Sequence, residues 1–558
     1  MNHLAGPLLS IEVGTRDATS ESIDAVLEAF IGGRGVATKL AHDRIPFDAD
    51  PFGPANRLYI TPGPLQRTQT SFTGRMNMTG LSPLTNGLLS TNAGGYVSRN
   101  VVNTGYSGVE LTGKSDDLLF LHISDDGVEF ETVPELASAT VPDVTAFATE
   151  QHGLEAEHLI AIGPAGENLV RFACPMTYES RAFGRGGLGA VMGAKNIKAI
   201  SFSGDSGPAG QIDPDVESVI HRRAATSDDQ KRRQGTTGGT ALINDQFSLP
   251  TRYFSEMSFE HADRIGGDAV EEKKYKKGSC SVCAFACKLP TRDEETGLET
   301  EGPEFETVYS FGANCGIGDI VDIMQSNELC DTLGMDTISC GVTVAAYLAS
   351  EDEFGNAELV HELVEKIAHR DGIGDTLAEG VDRIHTELGV DNWSVKGLEF
   401  AAHDGRVLHG QGLSYAVANR GADHLYAAIL GREYSGDLDP TGLEGKPAIL
   451  IEEENESGLR DAAIACSFGT KYFEPSDWEA LLDAPYEDLI AVGSRIVELE
   501  RHFNNQRGFD RSDDRLPYEA RLAGFDDAVQ AYYAARGWNE DGTVPDNLVS
   551  DNISTSAD

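Results

Sequence analysis

The chain has 558 residues, 40% of them hydrophobic, enough for roughly three or four domains and a large buried cofactor site. Asp and Glu total 90 against 44 Lys and Arg, a net charge of −46 with no separable acidic block. That excludes nucleic acid and an anionic membrane as partners and reads as adaptation to high salt, where at about 1 M the Debye length shrinks to about 3 Å.

The eight cysteines, three of them clustered, do not resemble a secreted disulfide framework. No run of 18 apolar residues occurs, and the N-terminus (Met1-Asn-His-Leu-Ala-Gly-Pro) lacks the basic and apolar segments of a signal peptide. The expectation is a soluble cytoplasmic protein in a reducing compartment.

In chain order, the first 200 residues predict short strands, with apolar runs at Leu58-Tyr-Ile60, Gly108-Val-Glu-Leu111 and Leu118 to Ile123 separated by Gly, Pro, Asn and Asp turns. One early helix is expected from about Ser22 to Leu40, ending in or crossing Gly32-Gly-Arg-Gly35. Two Gly- and Arg-bearing stretches, Thr73-Gly-Arg75 through Gly95 and Ser180-Arg181 through Asn196, have the donors to meet an anion. Neither is a Walker loop or a placed dinucleotide fingerprint, and ordinary turns with solvated arginines explain either stretch alone.

From about Ile212 the period becomes helical. Asp319 to Asp331 sets Ile320, Ile323 and Met324 on one face, Gly334 is a natural stop, and Asp336 can cap the helix of Ile338 to Leu348. Capping and solvation also account for Asp331 and Asp336 taken alone.

Between these parts stands Cys280-Ser-Val-Cys283-Ala-Phe-Ala-Cys287, after the basic segment Lys273 to Lys277. Three thiolates in eight residues can wrap one corner of an iron-sulfur cube, which needs a fourth ligand from elsewhere. Zinc competes, but no second C-x2-C or H-x3-H pair follows at a suitable distance. Glu301-Gly-Pro-Glu304-Phe-Glu306 comes next. One of its carboxylates could serve as a general acid or base if partly buried, and an exposed acidic turn is the alternative.

The last third is again mainly helical, with Arg420-Gly-Ala-Asp-His424 and Asp461-Ala-Ala-Ile-Ala-Cys466. The final twenty residues read as a loose tail, and Cys174, Cys315, Cys330 and Cys340 as buried packing residues.

Together, the C-x2-C-x3-C run, Glu-Gly-Pro-Glu-Phe-Glu, Cys330-Asp-Thr-Leu-Gly-Met-Asp336, Arg420 to His424 and the late Asp-x4-Cys resemble the aldehyde ferredoxin oxidoreductase family of tungstopterin enzymes, over nearly the whole chain. The resemblance implies an α+β fold: a β-rich pterin-binding domain (1–207), a helical domain with three cluster cysteines (208–410) and a helical C-terminal domain with the fourth (411–558), the cofactor lying at their interface.

It implies Cys280, Cys283, Cys287 and Cys466 as ligands of a [4Fe-4S] cluster. Arg75, Asn92 and Gly94 match a first pterin-contacting segment, and Arg181, Ala182, Gly184 and Arg185 a second. Asp331, Met335 and Asp336 match the first D-x-x-G-L motif; Arg420, Asp461 and Ala465 match later pterin contacts. Glu306 and His424 match the proton-handling pair. The implied cofactors are a tungsten or molybdenum bis-pterin, with magnesium bridging the pterin phosphates, and the cluster. The implied reaction is oxidation of a small aldehyde to its acid with ferredoxin as acceptor, and a homodimer is left open.

The second D-x-x-G-L motif departs from the family, with Ile464 and Ala465 for glycine and leucine. Lys273, Lys274, Lys276 and Lys277 are the candidate ferredoxin docking patch. Two alternatives remain open at this point: a same-family oxidoreductase acting on another carbonyl or a carboxylate, and a non-catalytic metal-binding protein.

Overall fold

The computed structural model describes residues 1–207 and 213–553, with side chains up to 549. The N-terminal part holds two six-stranded mixed sheets. The first contains β1 (Leu8–Glu12), β2 (Asp17–Glu21), β3 (Leu58–Thr61), β4 (Arg75–Leu81), β5 (Leu88–Gly94) and β6 (Gly108–Thr112), in the order β2-β1-β6-β3-β4-β5. The second contains β7 (Leu119–Ser124), β8 (Gly127–Thr132), β9 (Leu159–Ala161), β10 (Met176–Thr177), β11 (Arg181–Ala182) and β12 (Ile197–Phe202), in the order β11-β10-β9-β12-β7-β8.

Alternation sets the layers. Leu9, Ile11, Ile60 and Met78 of the first sheet meet Leu121, Ile160, Ile200 and Phe202 of the second in one core. The other face of the first sheet, with Leu8, Tyr59 and Leu81, packs on helical residues such as Phe30, Val36, Ile496 and Phe503. A strand buried on both faces reads as a continuous apolar run, which is why Leu58-Tyr-Ile60 stood out. The fully exposed β2, Asp-Ala-Thr-Ser-Glu, is a polar edge.

Beyond residue 213 the chain is mainly helical, and the fold is α+β with a β-rich N-terminal part. The helix Ile320–Leu333 ends at Gly334 in the left-handed region (φ 79°), and Asp336 caps Thr337–Glu351 by accepting the Ser339 N–H at 3.0 Å, as the pattern predicts. The helices Lys446–Ala463 and Tyr486–Gln506 cross where Gly458 meets Gly493; a Cβ on Gly458 would lie 2.7 Å from the Gly493 Cα, so backbone contact there requires glycine.

Two expectations need correction. The early helix is two, Asp24–Phe30 and Gly33–Arg44, because Ile31 (φ 70°) leaves the helical region and the chain restarts at Gly33. The expected C-terminal tail is ordered over much of its length: Gly542 O accepts from Arg501 Nε at 2.8 Å, and Asp546–Ile553 is a helix. The expected boundary at 207/208 borders residues outside those described, and the expected helical onset at Ile212 lies outside them; the expected boundary at 410/411 falls in the first turn of the helix His409–Val417.

Candidate functional site

A cavity of about 870 Å³ lies between the sheets and the helices. Every site residue expected from the sequence lines it except Ala465, whose N–H instead bonds Arg460 O at 2.9 Å, closing the preceding helix.

Strand register builds one wall. On the β4–β5 pair Arg75 faces Gly94 and Asn77 faces Asn92, while β11 brings Arg181 alongside, its Cδ 4.0 Å from where a Gly94 Cβ would stand. That Cβ would also come within 3.2 Å of Cys280 Sγ, so glycine opens the approach between strand and cysteine loop. Asn92 Nδ2 donates to Asp461 Oδ1 at 3.0 Å, and Asp461 also pairs with buried Arg34, which makes a bidentate bridge to Glu500 with both contacts at 2.7 Å. Arg34 and Arg420 stand 3.5 and 4.2 Å from the Tyr426 ring centroid, and Arg420 pairs with Asp423. Arg185 pairs with Asp336 at 3.3 Å. The Arg75 side chain lines the cavity with no hydrogen-bond or ion-pair partner among the described residues.

The cysteine loop is shaped by backbone turns. Val282 and Ala286, each directly before a cysteine, sit at φ 51°, and the loop base closes where Lys288 N bonds Gly278 O at 3.2 Å. The segment around Phe72 holds both cysteine stretches: Ser71 Oγ accepts from Ala284 N at 3.1 Å and Phe72 O from Cys466 N at 2.7 Å. Phe72, Phe285, Phe468 and Tyr472 pack into an aromatic shell around them. Burial, reinforced by the Cys466 and Cys280 sulfurs, pushes the Cys283 thiol up to about 11 and Cys287 well above its usual value. All eight cysteines are free thiols.

The altered second motif keeps the geometry of the first. Ile464 stands where the motif has glycine and occupies the same left-handed region (φ 58°) that Gly334 does. A left-handed L-residue costs roughly 1–2 kcal/mol, and burying an isoleucine side chain returns about 1.5–3 kcal/mol. The Ile464 side chain is 1% exposed and fills the space beside Gly33, so packing offsets the strain.

Glu301, Glu304 and Glu306 are not an exposed acidic turn; all three line the cavity. Glu301 pairs with Arg181 at 2.6 Å, and Glu304 accepts from Thr236 N at 3.2 Å. Glu306 Oε2 accepts the Ala402 N–H at 3.0 Å, whereas Oε1 is buried with no hydrogen bond. That oxygen lies 3.6 Å from His424 Nε2 and 3.6 Å from His403 Nε2. A π-helical stretch, Val308–Ala313, begins two residues after Glu306, a distortion frequent at functional sites.

His403 was not identified from the sequence. It is buried, and burial, with the His424 charge second, holds its pKa well below the usual histidine value. Its Nδ1 lies 3.0 Å from Tyr434 Oη, which in turn hydrogen-bonds Ser248 Oγ at 2.5 Å. Asp331 is also unusual: burial, then Glu328 and Glu301, pushes its carboxyl well up, while Asn327 Nδ2 donates to it at 3.2 Å. Of the expected docking lysines, Lys273 pairs with Asp293 at 2.6 Å and Lys274 donates to the Arg232 and Arg233 carbonyls. Only Lys276 and Lys277 remain exposed.

A mixed-sheet part followed by helices, with thiols, arginines and a carboxylate–imidazole cluster sharing one cavity, is the architecture of a cofactor-dependent oxidoreductase. The chain belongs to the aldehyde ferredoxin oxidoreductase family: its N-terminal domain model matches residues 8–204 and the model of domains 2 and 3 matches 215–550.

Among curated proteins, tungsten-containing aldehyde ferredoxin oxidoreductases of Thermococcus kodakarensis and Pyrococcus furiosus are 34% and 33% identical, each alignment covering 97% of both chains. A WOR-like subunit of an aliphatic sulfonate oxidoreductase from Pyrococcus furiosus is 27% identical, covering 98% of this chain and 96% of its own. The fold matches the active-site complex BamBC of benzoyl coenzyme A reductase, solved with 1,5-dienoyl-CoA, with a TM-score of 0.82 at 21% identity, covering 98% of this chain and 96% of that one. No helix among the described residues is long and apolar enough to cross a membrane.

Proposed function

We propose that the chain oxidises small aldehydes to carboxylic acids at a tungsten or molybdenum bis-pterin centre and passes the electrons through a [4Fe-4S] cluster to ferredoxin. The observation that carries this is the convergence, in one cavity, of the four thiols with the arginines and the Glu306–His424 pair, all from stretches far apart in sequence.

The donor set fits those groups. Arg75, unpaired, and Arg181, Arg185 and Arg420, each with a buried Nε lacking a hydrogen bond, suit pterin phosphates and their magnesium. Asn92, Asp331, Asp336 and Asp461 offer polar edges to the ring systems, and Gly94, Gly184, Ala182 and Met335 offer space and backbone; Ala465 acts by shaping the Cys466 turn.

Two sets of three or more His, Cys, Asp or Glu ligand atoms lie within 4.8 Å of one another among the described residues, and neither contains a cysteine. A single zinc with Zn–S bonds of about 2.3 Å would draw its sulfurs closer than that. The wider spacing supports a cluster over the structural-zinc alternative.

When bound, a high-valent metal on sulfur donors supplies carbonyl polarisation and a two-electron sink. The chain's residues handle the protons. Aldehyde plus water yields acid, two electrons and two protons, and Glu306 Oε1, free of hydrogen bonds and facing two imidazoles, is placed to accept a proton from the reacting water. His424 can hold it, and His403, kept neutral by burial, can pass it through Tyr434 toward Ser248. The aromatic shell keeps water from the thiolates. Lys276 and Lys277 are the remaining basic docking points for ferredoxin near the cysteine loop. The even acidic excess fits a salt-rich cytoplasm.

The similarity to a sulfonate oxidoreductase subunit favours one second reading: the same centre acting on another oxygenated substrate. Metal-loaded enzyme incubated with short aliphatic aldehydes and reduced-minus-oxidised ferredoxin spectroscopy decides between them. The proposal expects one acid and two electrons per aldehyde; no aldehyde turnover by fully loaded enzyme transfers the function to the second reading.

A further inference from the structure

The second ligand set within 4.8 Å lies away from the cavity. It comprises His122 on β7, Glu131 on β8 and His152, the last residue of the helix Val141–His152. In the sheet order β11-β10-β9-β12-β7-β8 these strands form the edge opposite β11, which carries Arg181 to the cavity. We propose that His122, Glu131 and His152 form a divalent-cation site of the zinc class that ties the β7–β8 hairpin to this helix.

Register places the ligands. Glu131 pairs with Phe120, and His122 follows Phe120 by two residues on the same face, so carboxylate and imidazole are diagonal neighbours. The helix packs on that face, and its C-terminus at Gly153 (φ 67°) delivers His152 beside them. Both Nε2 atoms converge on one oxygen, Glu131 Oε2, at 2.9 Å from His122 and 3.0 Å from His152. Tetrahedral zinc with bonds of about 2.0–2.1 Å needs its ligand atoms roughly 3.3 Å apart, so a few tenths of an ångström of opening suffices.

The next shell fits as well. His122 Nδ1 lies 2.9 Å from Ser201 Oγ on the adjacent β12, and the ring stacks on Phe120 with centroids 4.2 Å apart. A ligating imidazole is commonly oriented this way, its other N–H donated to a fixed acceptor. The side chains are 17%, 31% and 29% exposed for His122, Glu131 and His152, which admits an ion and a water as fourth ligand. Two imidazoles and one carboxylate select borderline divalent metals over magnesium or calcium, and a chain of net charge −46 enriches cations around itself. The competing occupant is a proton, with both rings donating N–H to Glu131.

The test is calorimetric titration of zinc chloride, and separately magnesium chloride, into anaerobic holoenzyme and into its His152→Asn and Ser201→Ala variants. The proposal expects wild-type enzyme to bind one more zinc than His152→Asn does, with a rise in Tm that this variant lacks, and no response to magnesium. Ser201→Ala, which keeps all three ligands, should retain the stoichiometry and weaken zinc about 10- to 100-fold. Equal zinc stoichiometry and affinity in wild type and both variants, or no zinc uptake by wild type, would assign the cluster to a proton and overturn the proposal. Because binding is read as a difference between variants, zinc taken up elsewhere, including at Glu306, cancels.

Discussion

Glu306 and its neighbours show what a single residue owes to its surroundings. Three carboxylates stand in Glu301-Gly-Pro-Glu304-Phe-Glu306, and only contacts separate their roles: Arg181 engages the first, Thr236 the second, and the third keeps one oxygen free. A half-buried carboxylate whose buried oxygen has no hydrogen bond and lies beside neutral imidazole is suited to proton transfer, which typically contributes about 10²- to 10⁴-fold. Glu306→Gln should therefore lower kcat by about that factor while tungsten or molybdenum and iron content stay at wild-type levels. Wild-type turnover in the Gln variant would reduce Glu306 to a cap for the Ala402 amide. The motif made Glu306 and His424 legible. It gave no signal for His403, a lone histidine nearly a hundred positions from Glu306, whose place is set by the Ala402–Glu306 hydrogen bond.

Among the elements, the cysteine loop was legible from spacing alone, because C-x2-C-x3-C closes tight turns in any context. The thiol proposed as its fourth partner was not, since Cys466 meets the loop through the Phe72 segment and through Phe285 against Phe468 and Tyr472, an arrangement of tertiary contacts. The strands read best where they were fully buried or sharply bounded. The early helix was misjudged because its periodicity continues across Ile31 while the backbone does not. In the second D-x-x-G-L motif, Ile464 holds the left-handed turn that sets Cys466, so cluster ligation should survive the departure from the family pattern. Cys466→Ala should lose or convert the cluster, whereas Cys174→Ala, a buried thiol whose contact is the Met176 sulfur at 3.6 Å, should leave iron unchanged. Equal iron in the two variants would remove Cys466 from the ligand set.

At the scale of the whole molecule, charge separates into two populations. Buried pairs such as Arg34–Glu500, Lys446–Glu433 and Lys396–Asp514 are internal and shielded from bulk ions. The surface excess is different: with 90 acidic against 44 basic residues, most exposed carboxylates have no cation to pair with, and their repulsion is screened only by salt. Tm should rise steeply between about 0.1 and 2 M KCl, and similarly in NaCl. A flat curve would mean that local pairing neutralises the surface and that the composition does not reflect salt adaptation.

The central claim is that one cavity houses a pterin-bound metal and an iron-sulfur cluster, and elemental analysis of the anaerobically purified protein tests it most directly. The account predicts about one tungsten or molybdenum and about four irons per chain, with the iron lost in Cys466→Ala. Zinc alone, without tungsten, molybdenum or iron, would contradict it and return the cysteines to a structural role.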